Sequence, residues 1–129
     1  MALLPATAGS VEQRMSVFTK FCSVAAIALL VFAHLGPINW KPRTGLSGHI
    51  DHFLGYFAVT SIVCLAWPRP FVVGAALITF SALLEGLQAL TPDRTPSLLA
   101  AFYGAGGALA AAALAELFIR VAASHFRCG

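Results

Sequence analysis

Between Phe71 and Pro92 a long apolar run is interrupted by a carboxylate, and that interruption sets the terms for the whole chain. The fourteen residues from Phe71 to Leu84 would cover only about 21 Å as a helix, against a hydrocarbon slab about 30 Å thick. A helix long enough to cross must therefore carry Glu85 and Gln88 into the slab before Thr91-Pro92 ends it. Glu85 then lies about 8 Å below the interface. Packing alone would be served at lower cost by an amide or a hydroxyl, so a carboxylate at this depth points to function. It is expected to be either neutral or paired with a cation from the outer loops.

The rest of the 129 residues agrees with a membrane reading. The chain is 59% hydrophobic and only 10% charged, where soluble domains carry about 25% charged residues. It has room for one domain. The net charge of +3 does not mark a nucleic-acid binder, because Lys and Arg are scattered singly among apolar segments. Cys22, Cys64 and Cys128 form no CxxC, so neither a zinc finger nor a structural disulfide is expected. No cofactor motif is present; the run Gly104-Ala105-Gly106-Gly107-Ala108 lacks the Lys-Ser/Thr of a phosphate loop.

In order, residues 1–16 read as a loose N-terminal tail, 17–119 as an all-α, transmembrane four-helix bundle with short loops, and 120–129 as a short tail. The first helix, Val17 to Leu35, stops at Gly36-Pro37. A cleavable signal peptide competes for this segment, but His34-Leu35 makes a poor cleavage site. Trp40-Lys41-Pro42-Arg43 reads as an interfacial anchor in the loop that follows. The second helix runs from about Ile50 to Trp67 and the third from Phe71 to Leu90, and the tight turn Pro68-Arg69-Pro70 makes them a hairpin. The fourth runs from about Ser97 to Ile119. Its Gly and Ala residues allow close helix approach, which makes it the expected packing centre.

Four spans place both termini on one side. That side holds Arg14, Lys20, Arg69, Arg120 and Arg127, and the other holds Lys41, Arg43 and Arg94, so the termini are expected to be cytoplasmic. Asp51, His52, Glu85, Gln88, Asp93 and Arg94 then gather at the extracytoplasmic end. Ser81, Glu85 and Gln88 share one face of the third helix, and His52, Tyr56 and Thr60 share one face of the second. The two stripes are expected to face each other across an outward-opening cleft, with Arg94 or Arg43 over its mouth. Arg94 is the expected partner of Glu85, and His52 the second choice. Ser81, Tyr56 and Thr60 are read first as interhelical hydrogen-bonding groups.

His49-Ile50-Asp51-His52 contains zinc or manganese ligand types, and Glu85 could complete a set, but consecutive loop residues lack a firm ligand spacing; interfacial hydrogen bonds or an Asp51–Arg pairing are expected instead of a metal site. His34 is read as a lone histidine at a helix end. Catalysis, if any, would rest on Glu85 and His52 exchanging a proton.

The run Asp51-His52-Phe53-Leu54-Gly55-Tyr56-Phe57, the turn Pro68-Arg69-Pro70, and Glu85-Gly86-Leu87-Gln88 followed by Pro92-Asp93-Arg94 resemble the VanZ-like family of small bacterial integral membrane proteins. The resemblance covers roughly Ile50 to Ala110. It implies a multi-pass protein of the bacterial inner (cytoplasmic) membrane with a cell-envelope role, linked through the founding member to teicoplanin susceptibility and antibiotic resistance. Ala100 and Gly104 depart from the pattern, standing where an Asp and an Asn commonly open the last helix; Gly107 matches it. The leading expectation is a binding or accessory protein that holds an envelope lipid-linked or glycopeptide-like group through Asp51, His52, Tyr56, Glu85, Gln88 and Arg94. Beside it stand a membrane-embedded enzyme on a polyprenyl-linked substrate, disfavoured by Ala100 and Gly104, and a small proton-linked transporter or homo-oligomeric packing unit. Membrane lipids are the expected surroundings, with no nucleic acid and no cofactor.

Overall fold

The computed structural model describes residues 4–37, 39, 45–92 and 94–129. They form four helices, α1 (Leu4–Leu35), α2 (Gly48–Ala66), α3 (Pro70–Gln88) and α4 (Leu98–Arg127), each long and apolar enough to cross a membrane. The architecture is the expected all-α bundle. With 19 residues each, α2 and α3 reach about 28 Å and match the apolar slab. With 32 and 30 residues, α1 and α4 overhang that slab by about 15 Å or more. Since α1 ends and α4 begins at the same end of the bundle, both overhangs project from the end that carries the termini.

Those overhangs correct two boundaries. The first sixteen residues are not a loose tail, because α1 already starts at Leu4. Pro5 falls in its first turn, where no intrahelical N–H is lost, and Glu12, Gln13 and Arg14 are good helix formers. Likewise α4 continues past Ile119 to Arg127, with Arg120 Nε donating to Glu116 Oε1 at 2.7 Å one turn back. His125 and Arg127 lie in the last turn, where positive charge suits the carbonyl end of the helix.

The packed faces follow the helical repeat. On α1 the face is Ser23, Ile27, Leu30 and His34; on α2 it is Tyr56, Val59, Thr60, Val63 and Cys64. On α3 it is Val73, Leu77, Ser81, Leu84, Glu85 and Gln88, and on α4 Ala100, Gly104, Gly107, Ala108 and Ala111. The α4 face is made of small residues, so its backbone meets its neighbours directly. A Cβ built on Gly107 would collide with the Phe53 carbonyl oxygen, and one on Gly74 of α3 would come within 2.8 Å of Ala112 Cβ. Such contact supplies the dispersion energy that lipid cannot replace by a hydrophobic drive.

As expected, α4 is the packing centre, touching α2 most and α3 next, while α1 leans mainly on α2. The hairpin is present as well. Trp67, Pro68 and Arg69 do form a short turn, with Arg69 N–H bonded to the Trp67 carbonyl at 2.7 Å. α2 and α3 touch each other, but less than each touches α4, whose small-residue face admits close neighbours. Outside the bundle, Phe21, Leu65, Val72, Phe102, Leu109 and Phe118 present the apolar surface that a bilayer covers.

Candidate functional site

At the end where α1 and α3 finish and α2 and α4 begin, each helix contributes a polar group to one buried cluster. Ser81, Glu85 and Gln88 are all buried on α3, 2%, 6% and 6% exposed, and Tyr56 and Thr60 on α2 are fully buried. His52 and Asp51 are half-buried at the rim, Asp51 in the first turn of α2, where a carboxylate suits the helix N-terminus. The two polar stripes thus converge on one cluster.

Glu85 owes its place to the start of α4. Ser97 is the N-cap of α4, and the Ser97 N–H donates to Glu85 Oε1 at 2.5 Å, while the Ala100 N–H donates to Ser97 Oγ at 3.3 Å. Two of the four N–H groups that a helix start leaves without partners are satisfied in this way. The arrangement is a capping box in which the glutamate comes from another helix. The carboxylate also faces the positive end of the α4 dipole.

Arg94 does not pair with Glu85. Its guanidinium donates instead to the carbonyl oxygens of Ala33, at 3.2 Å, and Gly36, at 2.5 Å. Ala33 lies in the last turn of α1 and Gly36 directly follows it, where carbonyls lack intrahelical partners and a cation is favoured. Arg94 therefore ties the α3–α4 connection to the end of α1. The Arg120–Glu116 ion pair lies far from this cluster, toward the other end of α4. Arg43, Asp93 and the Trp40–Arg43 anchor lie outside the described residues.

The residue that sequence reasoning passed over is His34. It is 4% exposed, and its ring meets His52 edge-on at 4.8 Å and Tyr56 at 5.6 Å between centroids. A backbone carbonyl can only accept, so the 2.9 Å bond between His34 Nδ1 and the Leu30 oxygen places a proton on Nδ1. The signal was available in the spacing of Ser23, Ile27, Leu30 and His34, which puts His34 on the inward stripe of α1. One ligand-type atom each from His34, His52 and Glu85 lie within 4.8 Å of one another. His49, by contrast, turns its ring to Tyr103 on α4, at 5.2 Å.

Tyr56 fills the middle of the cluster, with Ser81 close enough to interact with its hydroxyl and Glu85 nearby, yet neither that hydroxyl nor that of Thr60 makes a hydrogen bond of good geometry among the described residues. Ser81 Oγ donates to the Ala101 carbonyl at 3.3 Å, joining α3 to α4. Gly104 makes room for this packing: a Cβ there would lie 2.5 Å from Ser81 Oγ and 2.8 Å from Tyr56 Cδ2. The absence of a larger side chain at 104 thus has a local cause, since one would displace Tyr56.

The fold and this cluster define a multi-pass α-helical membrane protein with a buried polar centre at one end of its bundle. No family model, curated protein or solved structure matches the chain.

Proposed function

We propose that this is a VanZ-like integral protein of the bacterial cell envelope, serving as a binding or accessory protein for an envelope lipid-linked or glycopeptide-like group. One observation carries the reading: His52 and Tyr56 of α2, and Glu85 and Gln88 of α3, all in the segment that resembles the family, come together at one end of the bundle around a buried carboxylate. A bundle stabilised only by packing gains nothing from burying a carboxylate and two imidazole-bearing neighbours together. The bias of Lys and Arg toward the termini supports an outward-facing centre. The half-buried Asp51, His52 and Arg94 form the rim that a polar head group would meet first.

A second reading is favoured by the closeness of Glu85 and His52, whose ligand-type atoms lie within 4.8 Å: an enzyme in which the two exchange a proton with an envelope lipid. Native mass spectrometry of the detergent-extracted protein tests both. The binding reading expects a defined envelope lipid on the wild type and its loss from His52→Ala at equal protein stability. Conversion of that lipid by the purified protein favours the enzyme. Equal lipid profiles for wild type and variant contradict both.

A further inference from the structure

We propose that His34, His52 and Glu85 form a zinc-binding site at the buried end of the bundle. The proposal goes beyond the envelope reading and does not depend on it. Three different helices supply the donors, so the set is invisible to any spacing along the chain. Ligands around zinc at about 2.0–2.2 Å lie about 3.3 Å apart, so donors already within 4.8 Å need close by only about 1.5 Å. Side-chain rotation covers such a distance without moving a helix.

Each donor is held as a metal ligand requires. His34 Nδ1–H is bonded to the Leu30 carbonyl, which fixes the ring and makes Nε2 the atom that offers a lone pair. Glu85 has one oxygen held by the Ser97 N–H, and its second oxygen is the one left to ligate. His52, half-buried at the rim, gives the ion a way in. A dication at this point also neutralises a carboxylate that is otherwise expensive to bury.

Two imidazoles and one carboxylate leave a fourth zinc position open. Beside it stands Tyr56, fully buried, with a hydroxyl that makes no hydrogen bond of good geometry among the described residues. That phenol is placed to hydrogen-bond whatever occupies the fourth position. A buried hydroxyl without a well-formed hydrogen bond is the second observation in favour of a ligand here.

The test is zinc titration of the metal-depleted, full-length protein in detergent, in competition with a chromophoric chelator. One Zn²⁺ per chain is expected, with affinity at least about ten-fold weaker in His34→Gln, His52→Gln and Glu85→Gln. His49→Gln and His125→Gln should match the wild type. X-ray absorption of the loaded wild type, which needs no variant to fold, should show nitrogen and oxygen neighbours with the scattering of two imidazoles. Sub-stoichiometric binding, sulfur neighbours from Cys22, Cys64 or Cys128, or loss of binding in His49→Gln but not in His34→Gln overturns the site. Failure to retain a lipid leaves it untouched, and zinc failure with lipid retained leaves the envelope reading untouched.

Discussion

Glu85 Oε1 accepts a hydrogen bond from the backbone N–H of Ser97, so a buried carboxylate on α3 closes the start of α4. Replacing Glu85 by Ala leaves that N–H without a partner and should cost about 1–3 kcal/mol. Gln keeps an acceptor and should cost clearly less. Thermal unfolding in detergent measures both, and an Ala variant as stable as wild type contradicts the capping role.

Arg94 and Glu85 share no partner, since the guanidinium binds the Ala33 and Gly36 carbonyls. A double-mutant cycle with Arg94→Ala and Glu85→Ala should therefore be additive to within about 0.5 kcal/mol. A coupling well above that, measured by unfolding, would mean that the two charges do pair.

The stripes on α2 and α3 were legible because three- and four-residue spacing in a helix is purely local. Where each polar group finds its partner was not, because that depends on which helices are neighbours. Arg94 reads as a cation for Glu85 until the end of α1 is known to lie within its reach. The α2–α3 hairpin reads correctly, but nothing in Pro68-Arg69-Pro70 reports that α4 packs against each of the two helices more than they pack against each other. His34 was the larger miss. Taken alone it is a helix-end histidine, and only the inward line from Ser23 through Leu30 assigns it to the cluster.

Packing along α4 makes a graded prediction. Gly107 and Ala108 are buried against α2 and α3 neighbours, whereas Ala113 is exposed. Gly107→Leu and Ala108→Leu should lower thermal stability sharply, and Ala113→Leu should leave it within about 0.5 kcal/mol. Equal stability for all three would turn this face toward lipid.

Tyr56→Phe separates stability from function. A buried hydroxyl without a well-formed hydrogen bond costs free energy, so its removal should leave stability unchanged or raise it by up to about 1 kcal/mol. Ligand retention should fall at the same time. A marked loss of stability would show that the hydroxyl is bonded within the bundle.

The central claim is that the end of α1 joins the start of α2 and the end of α3 in one cluster, and chemical bridging tests it most directly. In a background with Cys22, Cys64 and Cys128 replaced, paired cysteines at positions 34 and 52 are treated in native membranes with the shortest bifunctional thiosulfonate. The account predicts rapid bridging of His34→Cys with His52→Cys, whose parent rings lie 4.8 Å apart. It predicts little bridging of His34→Cys with His49→Cys, since the His49 ring faces Tyr103. Bridging of the 34–49 pair in preference to the 34–52 pair would contradict the cluster.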